Sequence, residues 1–96
     1  MTYFSAGDWM VKEGRDDQAF IEAWLGSVDM DPPIQGLKVR PRLLKDLNRP
    51  GHYLSFAEWE SLEAIHAFRS RPDFPAAIAR IREQADFTIY TLESIQ

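Results

Sequence analysis

The chain is predicted to be an α+β protein with a ferredoxin-like split β-α-β fold, in which helices cover one face of a four-stranded antiparallel sheet. Three observations predict it. Segments with apolar residues at alternate positions and segments with apolar residues every three to four positions follow each other in the order β-α-β-β-α-α-β. The turn sequence Asn48-Arg49-Pro50-Gly51 joins two neighbouring strands into a hairpin. The 96 residues are one domain's worth of chain, so residues 1–96 are expected to form a single domain.

The first strand and the first helix occupy the first third of the chain. Residues 3–11 predict a strand with apolar side chains on both faces, and Gly7-Asp8 indicates a bulge within it. Asp16 and Asp17 begin a helix, because negative charge is favourable at a helix N-terminus. The sequence Asp31-Pro32-Pro33 ends it, since proline has no amide hydrogen to donate. The apolar stripe of this helix is Phe20, Trp24 and Val28, widened by Ile21 and Leu25.

The central hairpin follows. Residues 36–46 are the next extended segment, and Pro41 within them predicts an edge strand or a bulge, because it cannot donate to the ladder. Residues 52–60 alternate again and predict the second strand of the hairpin. Ser61 is a good N-cap for the helix that comes next.

The last part of the chain carries a broken helical region and a final strand. Ser70-Arg71-Pro72-Asp73 interrupts the helix and restarts it. The second piece has a regular apolar stripe formed by Phe74, Ile78, Ile81 and Ala85. Residues 87–93 predict the fourth strand.

The composition excludes several classes of function. Eleven Lys and Arg against fifteen Asp and Glu give a net charge of −4, which argues against nucleic acid as a partner. The absence of cysteine excludes disulfides and Cys-ligated metals, and neither histidine has a partner at metal-binding spacing, so no metal site is expected. No apolar run approaches the roughly 18–20 residues that span a bilayer, and no secretory signal is evident, so a cytoplasmic protein without a membrane partner is expected.

One face of the predicted sheet has no helix to cover it. Three of the four predicted strands carry large apolar residues on both faces, so a monomer would expose an unusually large apolar surface. A second copy packed face to face would cover it. We therefore expect a homodimer formed through the open face of the sheet.

The stretch Tyr53-Leu-Ser-Phe-Ala-Glu-Trp-Glu-Ser61, with Ser70-Arg71-Pro72-Asp73 after the following helix, resembles the antibiotic biosynthesis monooxygenase (ABM) family of the dimeric α/β-barrel superfamily. The resemblance spans nearly the whole chain, and Trp59-Glu60-Ser61 is its most distinctive piece. It implies a dimer with a pocket between the helices and the sheet of each subunit. The quinone-forming members of the family use neither metal nor flavin, so the resemblance to them implies a cofactor-independent oxygenase.

The resemblance carries over to particular residues. Trp59 matches the pocket tryptophan of the quinone-forming members, while Ser55 stands where they have asparagine and Ile65 where they have tyrosine. The haem-degrading members have an axial histidine on the last helix, where this chain has Ile78. Because neutral imidazole is what binds the iron, no haem cofactor is expected. No other cofactor is expected either.

The candidate site residues each have a structural alternative. Trp59 would stack on an aromatic substrate or simply be core, and Ser55 would donate to an oxyanion or be a small residue beneath a helix. His66 is the candidate general base, since its ordinary pKa near 6.5 suits proton abstraction, or else a solvated helix residue. The other candidates for substrate binding are Phe20, Trp24, Phe68 and Ile78 as pocket lining, which would be core as well, and Arg80 at the pocket mouth.

The function expected from these residues is a cofactor-independent monooxygenase that oxidises an electron-rich aromatic or quinol-type molecule with O2. Trp59 would be its stacking wall, Ser55 its hydrogen-bond donor and His66 its base. Two alternatives remain open. One is a non-catalytic dimeric module that binds a small ligand or a partner, and the other is an isomerase or cyclase in the same barrel.

Overall fold

The computed structural model describes residues 2–96 and contains the elements in the predicted order. They are β1 (Tyr3–Val11), α1 (Asp17–Val28), β2 (Arg42–Lys45), β3 (His52–Trp59), α2 (Leu62–Arg69), α3 (Phe74–Gln84) and β4 (Ala85–Glu93). Within these residues the four strands form one sheet in the order β2-β3-β1-β4, with every neighbouring pair antiparallel. The predicted α+β ferredoxin-like fold is confirmed.

Local sequence signals account for the ends of the helices. The Ser61 hydroxyl accepts a hydrogen bond from the Ala64 amide at 3.1 Å and so caps α2, as predicted. Asp17 places a carboxylate in the first turn of α1, and Pro75 lies in the first turn of α3, where its missing amide hydrogen costs nothing. Among residues 2–96, no helix combines the length and the apolar character needed to cross a membrane.

The predicted bulge at Gly7-Asp8 is wrong, because β1 pairs without interruption with β3 on one side and β4 on the other. Gly7 has a different role. A Cβ atom at this position would lie 2.4 Å from the indole ring of Trp9, so only glycine leaves room for that ring.

The strand predicted over residues 36–46 is much shorter in the structure. Only Arg42–Lys45 pairs continuously with β3, and Leu37 adds an isolated bridge to Trp59. Pro41 lies just before the paired segment, consistent with its inability to donate to a ladder. Arg40, which precedes it, turns away to form a two-pronged ion pair with Asp29, at 2.8 and 3.1 Å.

The helices pack against one face of the sheet around two apolar clusters. The larger cluster joins Phe20 and Trp24 of α1 to Trp9 and Tyr53 of the sheet, and the smaller one joins Ile65 of α2 to Ala57 and Trp59. The Tyr53 hydroxyl also donates to the Asp17 carboxylate at 2.7 Å and so ties α1 to β3. Burial, together with this carboxylate, raises the pKa of Tyr53 to about 12, so the phenol stays protonated at neutral pH.

The opposite face of the sheet carries exposed apolar side chains. Phe56, Tyr90 and Leu92 are each more than 40% exposed there, and they come from β3 and β4. The register places Phe56 and Tyr90 on either side of Ala6 of β1, so they form one continuous surface. We call this surface the open face.

One end of the open face is polar. The His52 ring lies between two carboxylates, with Nδ1 at 2.7 Å from Asp46 and Nε2 at 2.7 Å from Asp8. Hydrogen bonds to Asp46 and then Asp8 raise the pKa of His52, and the hydrogen bond to His52 lowers the pKa of Asp46. The cluster therefore favours a protonated imidazole between the two carboxyl groups.

This cluster predicts a pH dependence of stability. Because the folded pKa of His52 is raised, its stabilising contribution is complete below its ordinary pKa of 6.5 and disappears as the pH rises through the folded value. Urea unfolding at a series of pH values should show His52→Gln less stable than the wild type at pH 6, with the difference shrinking above it. His66→Gln, on the exposed side of α2, is the matched control. A constant difference across pH 6–9 for His52→Gln would contradict this reading.

Candidate functional site

A small cavity lies between the helix-covered face of the sheet and the helices, with a volume of about 90 Å³. Every helix and the strands β1, β3 and β4 contribute to its walls, together with the loop that follows α1. The lining is almost entirely apolar. Its side chains include Trp9, Trp24, Val28, Ile34, Leu37, Pro41, Ala57, Trp59, Phe68, Phe74, Ile78, Ile81 and Ile89, and its polar members are Ser5, Ser27, Ser55 and Arg69.

The floor of the cavity is built from two tryptophan–serine pairs that cross between β1 and β3. The Trp9 indole N–H donates to the Ser55 hydroxyl oxygen, and the Trp59 indole N–H donates to the Ser5 hydroxyl oxygen, both at 2.9 Å. Ser55 lies opposite Gly7 and Ser5 lies opposite Ala57, so each indole reaches diagonally over a small residue. A tryptophan from each central strand therefore fixes a serine of the other.

These pairs leave two hydroxyl protons available to a ligand. In both Ser5 and Ser55 the hydroxyl oxygen is the acceptor, and among residues 2–96 neither hydroxyl donates a hydrogen bond of its own. A hydroxyl that already accepts a hydrogen bond becomes a better donor. Both serines line the cavity, and Ser55 is only 6% exposed, so these donors act where water competes little.

Ser27 differs from these two serines although it lines the same cavity. Its hydroxyl donates to the Trp24 carbonyl of its own helix at 2.6 Å. Its proton is therefore committed to the backbone.

Arg69 is the charged member of the lining. It is the last residue of α2, and its guanidinium donates to the Thr91 hydroxyl and, at 3.4 Å, to the Tyr90 carbonyl, both on β4. Burial lowers the pKa of Arg69. No carboxylate lies within ion-pair distance of it in the part of the chain that the structure describes.

The cavity lining contains neither a carboxylate nor an imidazole among residues 2–96. Within that same range, no group of three or more His, Asp or Glu side chains is close enough to hold a metal ion. The chemistry available from the lining is therefore hydrogen-bond donation from serine, positive charge from Arg69 and stacking against indole and phenyl rings.

The structure brings together five of the residues predicted for the site. Trp59 is 2% exposed and packs against Phe68, with ring centroids 5.5 Å apart, so it is a core residue and a cavity wall at once. The five that line the cavity are Trp59, Ser55, Trp24, Phe68 and Ile78.

The other three predicted residues do not line the cavity. Phe20 is completely buried and packs against Trp9 and Tyr53, with ring centroids 5.9 and 5.2 Å apart. His66 and Arg80 lie on exposed sides of α2 and α3. His66 follows the buried Ile65, and this one-residue step turns its side chain by about 100° around the helix, away from the sheet.

Three residues of the lining, Ser5, Trp9 and Arg69, are not predicted from the sequence. The two crossing pairs depend on the register between β1 and β3, and the sequence does not determine it. Arg69 could have been noticed as the arginine that follows Phe68, but it lies at the end of α2, where a basic residue is usually explained by the helix dipole.

The size of the cavity limits the ligand. Its 90 Å³ is less than the roughly 150 Å³ of an engineered cavity that binds benzene. A single aromatic ring therefore enters only when lining side chains move. Phe68 and Phe74 are half-buried where α2 and α3 join, and Ile89 is 38% exposed on the edge strand β4, so we expect the movement in these side chains.

Comparison with known proteins agrees with this architecture. The model of the antibiotic biosynthesis monooxygenase family matches residues 39–80, which run from the loop before β2 into α3. This match confirms the resemblance seen in the sequence. A search of curated proteins found no match.

Solved structures share the whole fold at low sequence identity. SnoaB from Streptomyces nogalater, described as a cofactor-independent oxygenase, has a TM-score of 0.87 and 16% identity over 99% of this chain and 94% of its own. A candidate antibiotic biosynthesis monooxygenase from Deinococcus radiodurans has a TM-score of 0.81 and 20% identity over 98% of this chain and 93% of its own. At these identities the likeness establishes the fold.

Proposed function

We propose that this chain is a cofactor-independent monooxygenase that oxidises an electron-rich aromatic or quinol-type molecule in the cavity between sheet and helices. The observation that carries the proposal is the pair of uncommitted hydroxyl protons, on Ser5 and Ser55, inside an otherwise apolar space. The family match over residues 39–80 and the SnoaB-like fold support the same class of reaction.

The proposed reaction needs no external reductant. A hydroquinone with a free ring carbon loses a phenolic proton to solvent, and the phenolate passes one electron to O2. The resulting radical pair joins through a new carbon–oxygen bond, and the peroxide anion takes a proton back from solvent to give a hydroperoxide. Cleavage of its O–O bond releases one water and leaves a hydroxyquinone. One oxygen atom enters the product and the other enters water, and all four electrons come from the substrate.

The cavity residues have three tasks in this reaction. The serine hydroxyls donate to the phenolate oxygen, which lowers the free energy of the anion that reduces O2. Trp59 and Phe68 hold the ring by stacking. The apolar walls keep water from the radical pair. With no base in the described lining, the substrate's own acidity supplies the anion, and a phenol's pKa near 10 must be lowered by the donors around it.

Oxygen uptake tests the proposal. The protein is mixed with hydroquinones and anthrones in an oxygen electrode, and uptake is compared with the same compounds without protein, to subtract autoxidation. We expect catalysed uptake of one O2 per quinone formed, with one atom of ¹⁸O from ¹⁸O2 in the product. The dimethyl ethers of the hydroquinones should not react, because they have no phenolic proton to lose.

Two other outcomes would contradict the proposal. Saturable binding of aromatic molecules without oxygen uptake would indicate a non-catalytic binding module. Conversion of a small carbonyl compound at equal rates in air and under nitrogen would indicate an isomerase or cyclase.

We also propose that two copies of the chain pair through the open face. The support is the exposed apolar surface around Phe56, Tyr90 and Leu92, which a soluble monomer rarely leaves uncovered. Light scattering after size exclusion should give about twice the chain mass of 11.1 kDa. Phe56→Glu should give the monomer mass, because it places a charge within the apolar surface.

Leu47→Glu is the matched control for the open face. Leu47 is 89% exposed in the turn after β2. Leu47→Glu therefore adds the same charge outside the open face and should leave the mass in solution equal to that of the wild type. A wild-type protein that stays at 11.1 kDa at micromolar concentration would contradict the pairing.

A further inference from the structure

Arg69 combines three properties that no other cavity residue has. It is a permanent positive charge, it is partly withdrawn from water, and it has no carboxylate within ion-pair distance in the part of the chain that has been described. A guanidinium in a partly desolvated position is normally paired, because the desolvation cost is otherwise uncompensated. An anionic ligand bound in this apolar cavity would neutralise the unpaired positive charge of Arg69.

The contacts of Arg69 leave donors for that anion. A guanidinium has five N–H groups in a planar fork, and the hydrogen bonds to Thr91 and to the Tyr90 carbonyl use two of them. Both acceptors are neutral, so they orient the side chain without neutralising it. This geometry resembles a prepared site for a planar anion such as a carboxylate, which accepts two parallel N–H bonds from one guanidinium.

The register places the guanidinium beside the proposed reacting centre. Thr91 lies directly opposite Ser5 on β1, and Ser5 is the residue that accepts the Trp59 indole N–H. An anion held by Arg69 would therefore lie at the β4 side of the cavity floor, with its ring extending toward Trp59 and Phe68. The net charge of the chain is −4, so the electrostatic field of the whole protein does not attract anions to the cavity. Attraction of an anion there would come from Arg69 itself.

We propose that Arg69 is a specificity-determining residue that selects substrates carrying a carboxylate on the aromatic ring, so that the substrate class is an aromatic acid with quinol hydroxyls. This inference rests on the proposed function for the identity of the ring, but it concerns binding and not oxidation. The small cavity favours a single ring over a fused system.

Binding of two matched probes under nitrogen tests the proposal without turnover. The probes are 2,5-dihydroxybenzoate and hydroquinone, which differ by one carboxylate, and isothermal titration gives the Kd of each for the full chain. We expect the acid to bind at least about tenfold more tightly than the neutral quinol, because its carboxylate makes a charge-assisted bidentate contact with Arg69. Arg69→Gln should abolish that preference, and Arg69→Lys should retain part of it.

Two further variants separate charge from folding. Arg80→Gln removes the same charge from the exposed side of α3 and should leave the preference intact. Thr91→Val removes the neutral contact of Arg69 while keeping the guanidinium, and it too should retain most of the preference. Equal binding of both probes by the wild type, or a preference that survives Arg69→Gln, would overturn the proposal.

The outcomes also distinguish this inference from the oxygenase proposal. A tenfold preference for the acid without oxygen uptake on any quinol would leave Arg69 as an anion-selecting residue and refute the oxygenase. Oxygen uptake with no preference between the two probes would support the oxygenase and refute the role of Arg69 in selecting a carboxylate.

Discussion

Trp59→Ala is expected to lower the free energy of unfolding by about 3–5 kcal/mol, as large-to-small substitutions of buried aromatic residues do. Trp59 is 2% exposed, packs with Ala57 and Ile65, and stacks against Phe68. The substitution also removes the indole N–H that Ser5 accepts. Since small domains are stable by only about 5–15 kcal/mol in total, this variant should be close to unfolding at room temperature. Urea denaturation followed by circular dichroism measures the loss.

Trp59→Phe is the matched control, because it keeps an aromatic ring in the same place and loses the N–H donor. It should lower the free energy of unfolding clearly less than the alanine variant does, and it should still bind aromatic probes. If Trp59→Ala lowered stability by less than about 1 kcal/mol, the described packing around this residue would be contradicted. If Trp59→Phe were as stable as the wild type but no longer bound any aromatic probe, the indole itself would be the recognition element.

The fold could be predicted because its signals are local. The apolar stripe of α1, the proline pair that follows it and the N-cap Ser61 each act over a few residues, and each requires only the neighbouring sequence. The order of the elements then leaves few topologies that are right-handed and unknotted. Where prediction was wrong, at Gly7 and in residues 36–41, side-chain contacts that the pattern of apolar residues does not show were decisive. Trp9 needs the space above Gly7, and Asp29 holds Arg40 away from the sheet.

The candidate site was predicted only in part, for the same physical reason. Trp59 and Ser55 could be identified because they lie on one face of one strand, two pleats apart. Their hydrogen-bond partners Ser5 and Trp9 belong to β1, at a sequence distance of 54 and 46 residues, and the pairing becomes visible only once the register is known. Arg80 and Arg69 both follow helical apolar stripes, and the packing of each helix on the sheet decides which of them reaches the cavity.

Ser55→Ala is expected to lower the kcat of oxygen uptake by about 10²–10³-fold, the loss measured when one donor to a developing oxyanion is removed. The serine proton stabilises the phenolate as it forms, so kcat should fall with little change in KM. The variant also leaves the buried Trp9 N–H without its acceptor, which costs about 1–3 kcal/mol of stability. Activity should therefore be measured at a temperature at which thermal unfolding shows the variant fully folded.

Ser27→Ala is the control that isolates the hydroxyl proton of Ser55. Both serines line the cavity, but the Ser27 hydroxyl donates its proton to the Trp24 carbonyl. Removing the Ser27 hydroxyl therefore changes the shape of the lining without removing a donor that a ligand could use. Ser27→Ala should keep kcat within about twofold of the wild type, a difference too small for a lost oxyanion donor. Ser5→Ala should resemble Ser55→Ala, because its hydroxyl is placed in the same way. Equal kcat values for the Ser55 and Ser27 variants would mean that the crossing tryptophan–serine pairs hold the sheet together and do not take part in the chemistry.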